Sequence, residues 1–202
     1  MGKSLNWVSG KRFKSMRLIL VRHGKTEENI NDILQGHLQG TLSQEGKLRN
    51  KELSEELKNQ NADYIYSSDL RRAKETAEEI LSKHPKTIFK TDKRLRERDL
   101  GIHTGKKRSD CFPESLMRSD WGAPGGETWD EVLMRVKEFI TDIKKEHSED
   151  TIIVVSHNGA LLVMLSHLLD EDYREKLNTG GHKNSEAIFL EVEEESANLI
   201  EI

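Results

Sequence analysis

One cysteine, Cys111, is all the thiol chemistry in this chain of 202 residues. It excludes an internal disulfide and cannot seed a cysteine metal cluster, so no metal or other cofactor is expected from it. A reducing, cytoplasmic location is the simplest account. No stretch approaches the ~18–20 consecutive apolar residues that span a bilayer, so no membrane partner is expected. Neither sign of charge is in large excess: 32 basic against 36 acidic side chains leave a net charge of −4. That balance disfavours nucleic acid as a partner. No Walker-type glycine loop occurs, which excludes that kind of nucleoside-triphosphate cradle. Residues 1–15 lack an apolar secretory core and carry Lys3, Lys11, Arg12 and Lys14. They read as a flexible tail ahead of a single domain over 16–202, long enough to bury a sizeable core.

The stretch Leu18-Ile19-Leu20-Val21-Arg22-His23-Gly24 opens apolar and turns abruptly to a cation, an imidazole and a glycine. A short bounded apolar run suits a strand buried on both faces. Thr151 to Ser156 repeats the design and ends in His157-Asn158-Gly159. Between the two, helices are expected over about 43–59 and 70–82, and strands over 62–67 and 87–91. Thr128 and Glu131 spell a capping box for a helix over 128–147. Its stripe of Trp129, Val132, Leu133, Val136, Phe139, Ile140 and Ile143 reads as core. Residues 103–126 carry two of the three prolines and little periodicity, and read as an irregular lid. An apolar helix is expected over 160–169, a strand over 187–192 and an edge over 198–202.

Alternating strands and helices predict a three-layer α/β/α fold with a mostly parallel central sheet flanked by helices. In such sheets ligands sit beyond the carboxyl ends of the strands. Arg22, His23, Arg72 and His157 would then share one pocket. Arg71 and Arg72 fall in the first turn of a helix, where cations oppose the macrodipole and a bound anion would offset the penalty. Arg71 reads as solvent-facing. Two arginines and two histidines make a hole for a phosphate dianion. A nucleophilic histidine there can divide one hard displacement into two easier ones. The leaving alkoxide needs a proton, and Glu97 is the candidate donor by its order along the chain, although its cationic neighbours also suit a surface ion pair.

These residues resemble the signature of the histidine phosphatase superfamily, also called phosphoglycerate mutase-like. The likeness starts at Val21-Arg22-His23-Gly24-Lys25-Thr26. It continues through Asn29, Gln35-Gly36, Leu42, Gly46, the Ser67–Ala73 stretch, Glu97-Arg98-Asp99-Leu100-Gly101, Gly125-Gly126-Glu127, Ser156-His157 and Asn184-Ser185. The resemblance implies His23 as a nucleophile that becomes a phosphohistidine. It implies Arg22, Arg72 and His157 as phosphate ligands and Glu97 as proton donor. Asn29 would reach the phosphate, Gln35 or Gly36 would line the pocket, and Asn158, beside the second histidine, would be a further substrate- or phosphate-binding residue. No metal is implied, because fixed cations take its place.

Some positions depart from the family pattern. Lys25 replaces a commoner Glu, Gln or Ser and would bring a cation to the pocket mouth. Asn158 stands where the acid-phosphatase branch has a proton-donating Asp, which leaves Glu97 as the donor. Lys25, His37, His103 and residues 106–120 are the candidates for choosing the ester. The expected activity is metal-independent hydrolysis of a small phosphorylated metabolite. The alternatives are phosphoglycerate mutase-type transfer, a non-catalytic binder of phosphorylated ligands, and a zinc hydrolase built on His23, His157 and Glu97. Arg22 and Arg72 beside a dication argue against the last.

Overall fold

The computed structural model describes residues 7–8, 11–12, 15–113, 116–179, 181–194 and 196–200. Two short strands, β1 (Trp7–Val8) and β2 (Lys11–Arg12), pair antiparallel with each other. The rest of the expected N-terminal tail, apart from Ser15, lies outside the described residues.

The chain then runs through β3 (Met16–Arg22), α1 (Glu27–Ile30), α2 (Gln44–Leu57), β4 (Tyr64–Ser67), α3 (Arg71–Leu81) and β5 (Ile88–Thr91). It continues through α4 (Arg108–Cys111), α5 (Trp129–Glu146), β6 (Thr151–Ser156), α6 (Asn158–Leu168), α7 (Tyr173–Thr179), β7 (Ala187–Val192) and β8 (Ala197–Leu199). Single 3-10 turns lie at Lys93–Leu95, Gly101–His103 and Arg118–Asp120. The main sheet has the order β5-β4-β6-β3-β7-β8. Its first four strands are mutually parallel, β7 runs antiparallel to β3, and β8 runs antiparallel to β7 at the edge.

The apolar run of β3 is buried on both faces because alternate side chains feed two cores. Leu18 and Leu20 join Ile152 and Val154 of β6 beneath α5 and α6. Ile19 and Val21 join Ile153 and Val155 beneath α2 and α3. All eight are fully buried. Truncating any one to Ala would cost about 2–5 kcal/mol.

Helix α5 matches its expected stripe, and its Thr128–Glu131 capping box forms. The leucines of helix α2 do not share one inner face: Leu53 and Leu57 are buried and Leu48 is exposed. The inner face is instead Gly46, Asn50, Leu53, Ser54 and Leu57. Gly46, Asn50, then Leu53 with Ser54, and Leu57 recur every three or four residues, and Leu48 falls off that phase. The strand expected from Ala62 starts at Tyr64. The terminal edge lies at Ala197–Leu199 rather than from 198 onward, with 201–202 outside the described residues.

Strands β3 and β6 are in register, with Arg22 opposite Ser156. His23 and His157 therefore leave neighbouring strands at the same height. The backbone N–H of His23 donates to the Ser156 carbonyl at 3.0 Å, which carries the pairing one step beyond the strands.

Candidate active site

His23 and His157 stand at these two strand ends with ring centroids 5.0 Å apart. Both are buried. His23 Nδ1 lies 2.8 Å from the Gly24 carbonyl. A carbonyl only accepts, so Nδ1 carries the proton and Nε2 keeps its lone pair. Arg72 Nε donates to that Nε2 at 3.3 Å. Burial first, then the charges of Arg72 and Arg22, push the His23 pKa well below 6.5. His157 is lowered the same way, by burial and then by Arg72. Neither ring nitrogen of His157 has a hydrogen-bond partner.

Arg72, in the first turn of α3, is almost completely buried. Nη2 donates to the Gly36 carbonyl at 3.0 Å, and Nη1 donates to the Leu38 carbonyl. The loop of residues 35–40 thus clamps the guanidinium from below. It also supplies the helix cap. Leu70 offers no capping side chain, and the Gln39 side chain accepts from Arg71 N at 3.0 Å instead. Asp69, the residue before that cap, is held by Arg96. Arg71 donates to Gly40 O and Thr41 Oγ1, so it anchors this loop rather than simply facing solvent. Arg22 donates to the His182 carbonyl. Burial, the largest influence on each, brings Arg22 and Arg72 down to about 10, which leaves both charged at neutral pH.

Arg22, His23, Arg72 and Glu97 line one open pocket of about 610 Å³, part of it continuous with solvent. Asn29, Gln35, Gly36 and Asn158 line it as well. His157, expected in the same pocket, lies against His23 and is not itself among the lining residues. Asn29 uses its side-chain oxygen to cap α1 through Thr26 N, which leaves its NH2 free to donate. Gln35 donates to Thr26 Oγ1 at 2.9 Å, and Gly36 takes a positive φ of 46° that suits a glycine.

The Glu97 carboxylate accepts from two backbone amides, Arg98 N at 2.9 Å and Gly159 N at 3.1 Å. A side chain at Gly159 would put its Cβ 2.5 Å from Glu97 Oε1, so this close approach requires glycine. Arg135 of α5 organises the Glu97 segment by donating to the carbonyls of Arg94, Arg96 and Glu97 and to the Glu127 carboxylate. His37 braces the same segment, with Nε2 2.9 Å from Glu97 O.

Four expectations shift here. Lys25 turns to Glu45 at 2.8 Å and does not line the pocket. His37 supports the Glu97 backbone, and His103 packs at a tilt against Phe112, with ring centroids 4.9 Å apart. Trp129, read as core alone, also lines the pocket and carries the Arg98 guanidinium 4.5 Å from its ring centroid. The sequence reading missed Arg108, Arg118 and Trp121 as individual wall residues of the lid. Among the described residues, no three His, Cys, Asp or Glu side chains are grouped to hold a metal ion. No described helix is long and apolar enough to cross a membrane.

Known proteins resemble this chain in sequence and in fold. Residues 18–202 match the histidine phosphatase superfamily (branch 1). Phosphoserine phosphatase 1 of Hydrogenobacter thermophilus is 36% identical over 167 residues, covering 78% of each chain. Phosphoglycerate mutase-like protein 4 of Arabidopsis thaliana is 37% identical over 154 residues, covering 71% of this chain and 67% of its own. The fold superimposes on a mycobacterial glucosyl-3-phosphoglycerate phosphatase complexed with VO3, with a TM-score of 0.82 at 24% identity. That match covers 92% of this chain and 98% of the other. The chain belongs to the histidine phosphatase superfamily, and within it to the phosphatases.

Proposed function

We propose that this phosphatase hydrolyses small phosphomonoesters without a metal, through a phosphoryl group carried on His23. The observation that carries the reading is the tautomer of His23: Nδ1–H is tied to Gly24 O, and the Nε2 lone pair faces Arg72. Arg22, Arg72 and an N–H of His157 supply donors around the phosphoryl oxygens, where charge is greatest in the transition state. The amides of Asn29, Gln35 and Asn158 add neutral donors.

In the first step Nε2 attacks phosphorus as the P–O ester bond breaks. The departing oxygen takes the proton of the Glu97 carboxylic acid. In the second step Glu97, now a carboxylate, accepts a proton from water as that water attacks phosphorus. The P–N bond breaks, phosphate leaves, and His23 and Glu97 return to their starting states. The guanidiniums do the charge work that a metal would otherwise do. The names of the relatives, among them phosphoserine and glucosyl-3-phosphoglycerate phosphatases, support a small phosphorylated metabolite as substrate. The lone cysteine supports a cytoplasmic setting.

The test is a quenched incubation with an ester labelled in its phosphoryl group. An acid-labile, alkali-stable label on the peptide containing residue 23, absent from His23→Ala, is the expected result. Release of free phosphate rather than an isomerised ester from 3-phosphoglycerate separates hydrolysis from mutase-type transfer. Wild-type turnover by His23→Ala would end the reading.

A further inference from the structure

The acid that serves the reaction set out above stands on irregular backbone. Residues 96–100 belong to neither helix nor strand. Backbone groups there need partners from outside the segment. Arg135 of α5 has five N–H groups, and all five are used. Nη1 donates to Arg94 O at 2.6 Å and to Arg96 O at 2.8 Å. Nη2 donates to Glu97 O at 3.1 Å and to Glu127 Oε2 at 3.0 Å, and Nε donates to Glu127 Oε1 at 2.8 Å. The side chain is only 15% exposed, yet it does not line the pocket.

Glu127 completes the clamp. Its Oε2 also accepts from Asp99 N at 2.8 Å, and its carbonyl accepts from Arg98 Nε at 2.7 Å. The stretch 94–99 is thus held through three carbonyls by Arg135 and through one amide by the carboxylate that Arg135 fixes. From this frame the Glu97 carboxylate reaches Arg98 N and Gly159 N. The lid has a support of its own, because Trp121 stacks flat on Phe112 with centroids 4.3 Å apart and an interplanar angle of 3°. Loss of the Arg135 guanidinium therefore acts first on the Glu97 segment and not on the lid wall.

Resting on the reading of Glu97 as proton donor, we propose that Arg135 is a positioning residue for proton delivery: it fixes the backbone at 94–97 so that the Glu97 carboxyl meets the departing oxygen. A general acid must lie about 2.6–3.2 Å from the oxygen that it protonates, and a misplacement of about 1 Å can cost about a hundredfold in rate. The planar fork of a guanidinium suits five acceptors spread around it. A lysine ammonium offers three N–H groups from one point and cannot span them.

The ratio of kcat/KM for glycerol 3-phosphate to kcat/KM for 4-nitrophenyl phosphate tests this. The nitrophenolate leaves without a proton, and a ratio is insensitive to the fraction of protein folded. Arg135→Met should lower the ratio about tenfold or more, and Arg135→Lys should lower it less. Added to Glu97→Gln, Arg135→Met should lower it no further, because the acid that it positions is gone. Amide exchange reads the same geometry without turnover. In Arg135→Met the amides of Arg98 and Gly159, which donate to the Glu97 carboxylate, should exchange about tenfold faster or more. The Gly24 amide, which donates to Thr76 Oγ1 at 3.0 Å, should keep its rate. A ratio that falls in Glu97→Gln and holds in Arg135→Met overturns this proposal and keeps the donor reading. An undiminished effect of Arg135→Met in the Glu97→Gln background overturns it as well. A ratio unmoved by Glu97→Gln sinks the donor reading. Faster exchange at Arg98 and Gly159 in Arg135→Met would then keep Arg135 as the holder of that carboxylate, and unchanged exchange would overturn it.

Discussion

Arg72 Nε and His23 Nε2 are 3.3 Å apart, a guanidinium donating to the lone pair that the reaction needs. The contact disfavours a second proton on the ring and holds its nitrogen toward the pocket. Much of the chemistry and part of the pH response follow from it.

Stability should fall in mild acid. His23 and His157 have pKa values pushed well below 6.5 by burial and by arginine charge, and His84 and His182 are lowered mainly by burial. The unfolded chain binds these protons near 6.5 and the native chain does not. The histidine contribution is thus fully present above about pH 6.5 and is lost as pH falls below it, by up to about 1.4 kcal/mol per pH unit for each group. Urea midpoints should be level between pH 7 and 8 and drop between 6.5 and 5, before most carboxylates titrate. A level midpoint down to pH 5 would contradict the buried neutral imidazoles.

Glu97→Gln separates proton donation from phosphoryl transfer. The amide keeps the shape and cannot give a proton. Turnover of alkyl phosphates should drop about 10²–10⁴-fold. Turnover of 4-nitrophenyl phosphate, whose leaving group departs as an anion, should drop far less. Equal losses on both esters would show that Glu97 acts on something other than the leaving oxygen.

Asn50 underpins the loop that presents His23. It donates to Thr76 Oγ1 at 3.1 Å and accepts from Ser185 Oγ at 2.7 Å, while the same Thr76 oxygen receives Gly24 N at 3.0 Å. Asn50→Leu leaves these buried groups short of partners. It should cost about 1–3 kcal/mol, read as a lower denaturant midpoint at an unchanged m-value. An unaltered midpoint would show that the network is dispensable.

The reacting centre was legible where chain pattern and chemistry change at the same residue. Two apolar runs stop at Arg22-His23 and at His157, and a parallel sheet brings such stops together. Arg72 was legible because a cation in a helix's first turn asks for an anion. Asn29, Gln35 and Gly36 came from resemblance alone, since a polar loop has no period to read. Arg118 and Trp121 were hidden for the same reason, in a segment of short turns between prolines. Trp129 was half read: a helical stripe says which face is inward, not that its first residue reaches past the core to a pocket. Asn50 lay on a face with few apolar residues, and that scarcity was the available sign that something polar was buried there. Lys25 was misplaced because sequence proximity to His23 says nothing of Glu45, which captures it.

The two histidines are fixed by strand register, whereas the wall opposite them is a chain of turns stitched by an aromatic stack. A one-residue slip in β3 would turn its side chains to the wrong faces. Insertions or deletions between about 104 and 124 leave that register alone. New ester preferences can therefore arise by rewriting a single surface segment, with the phosphorus-handling apparatus inherited intact.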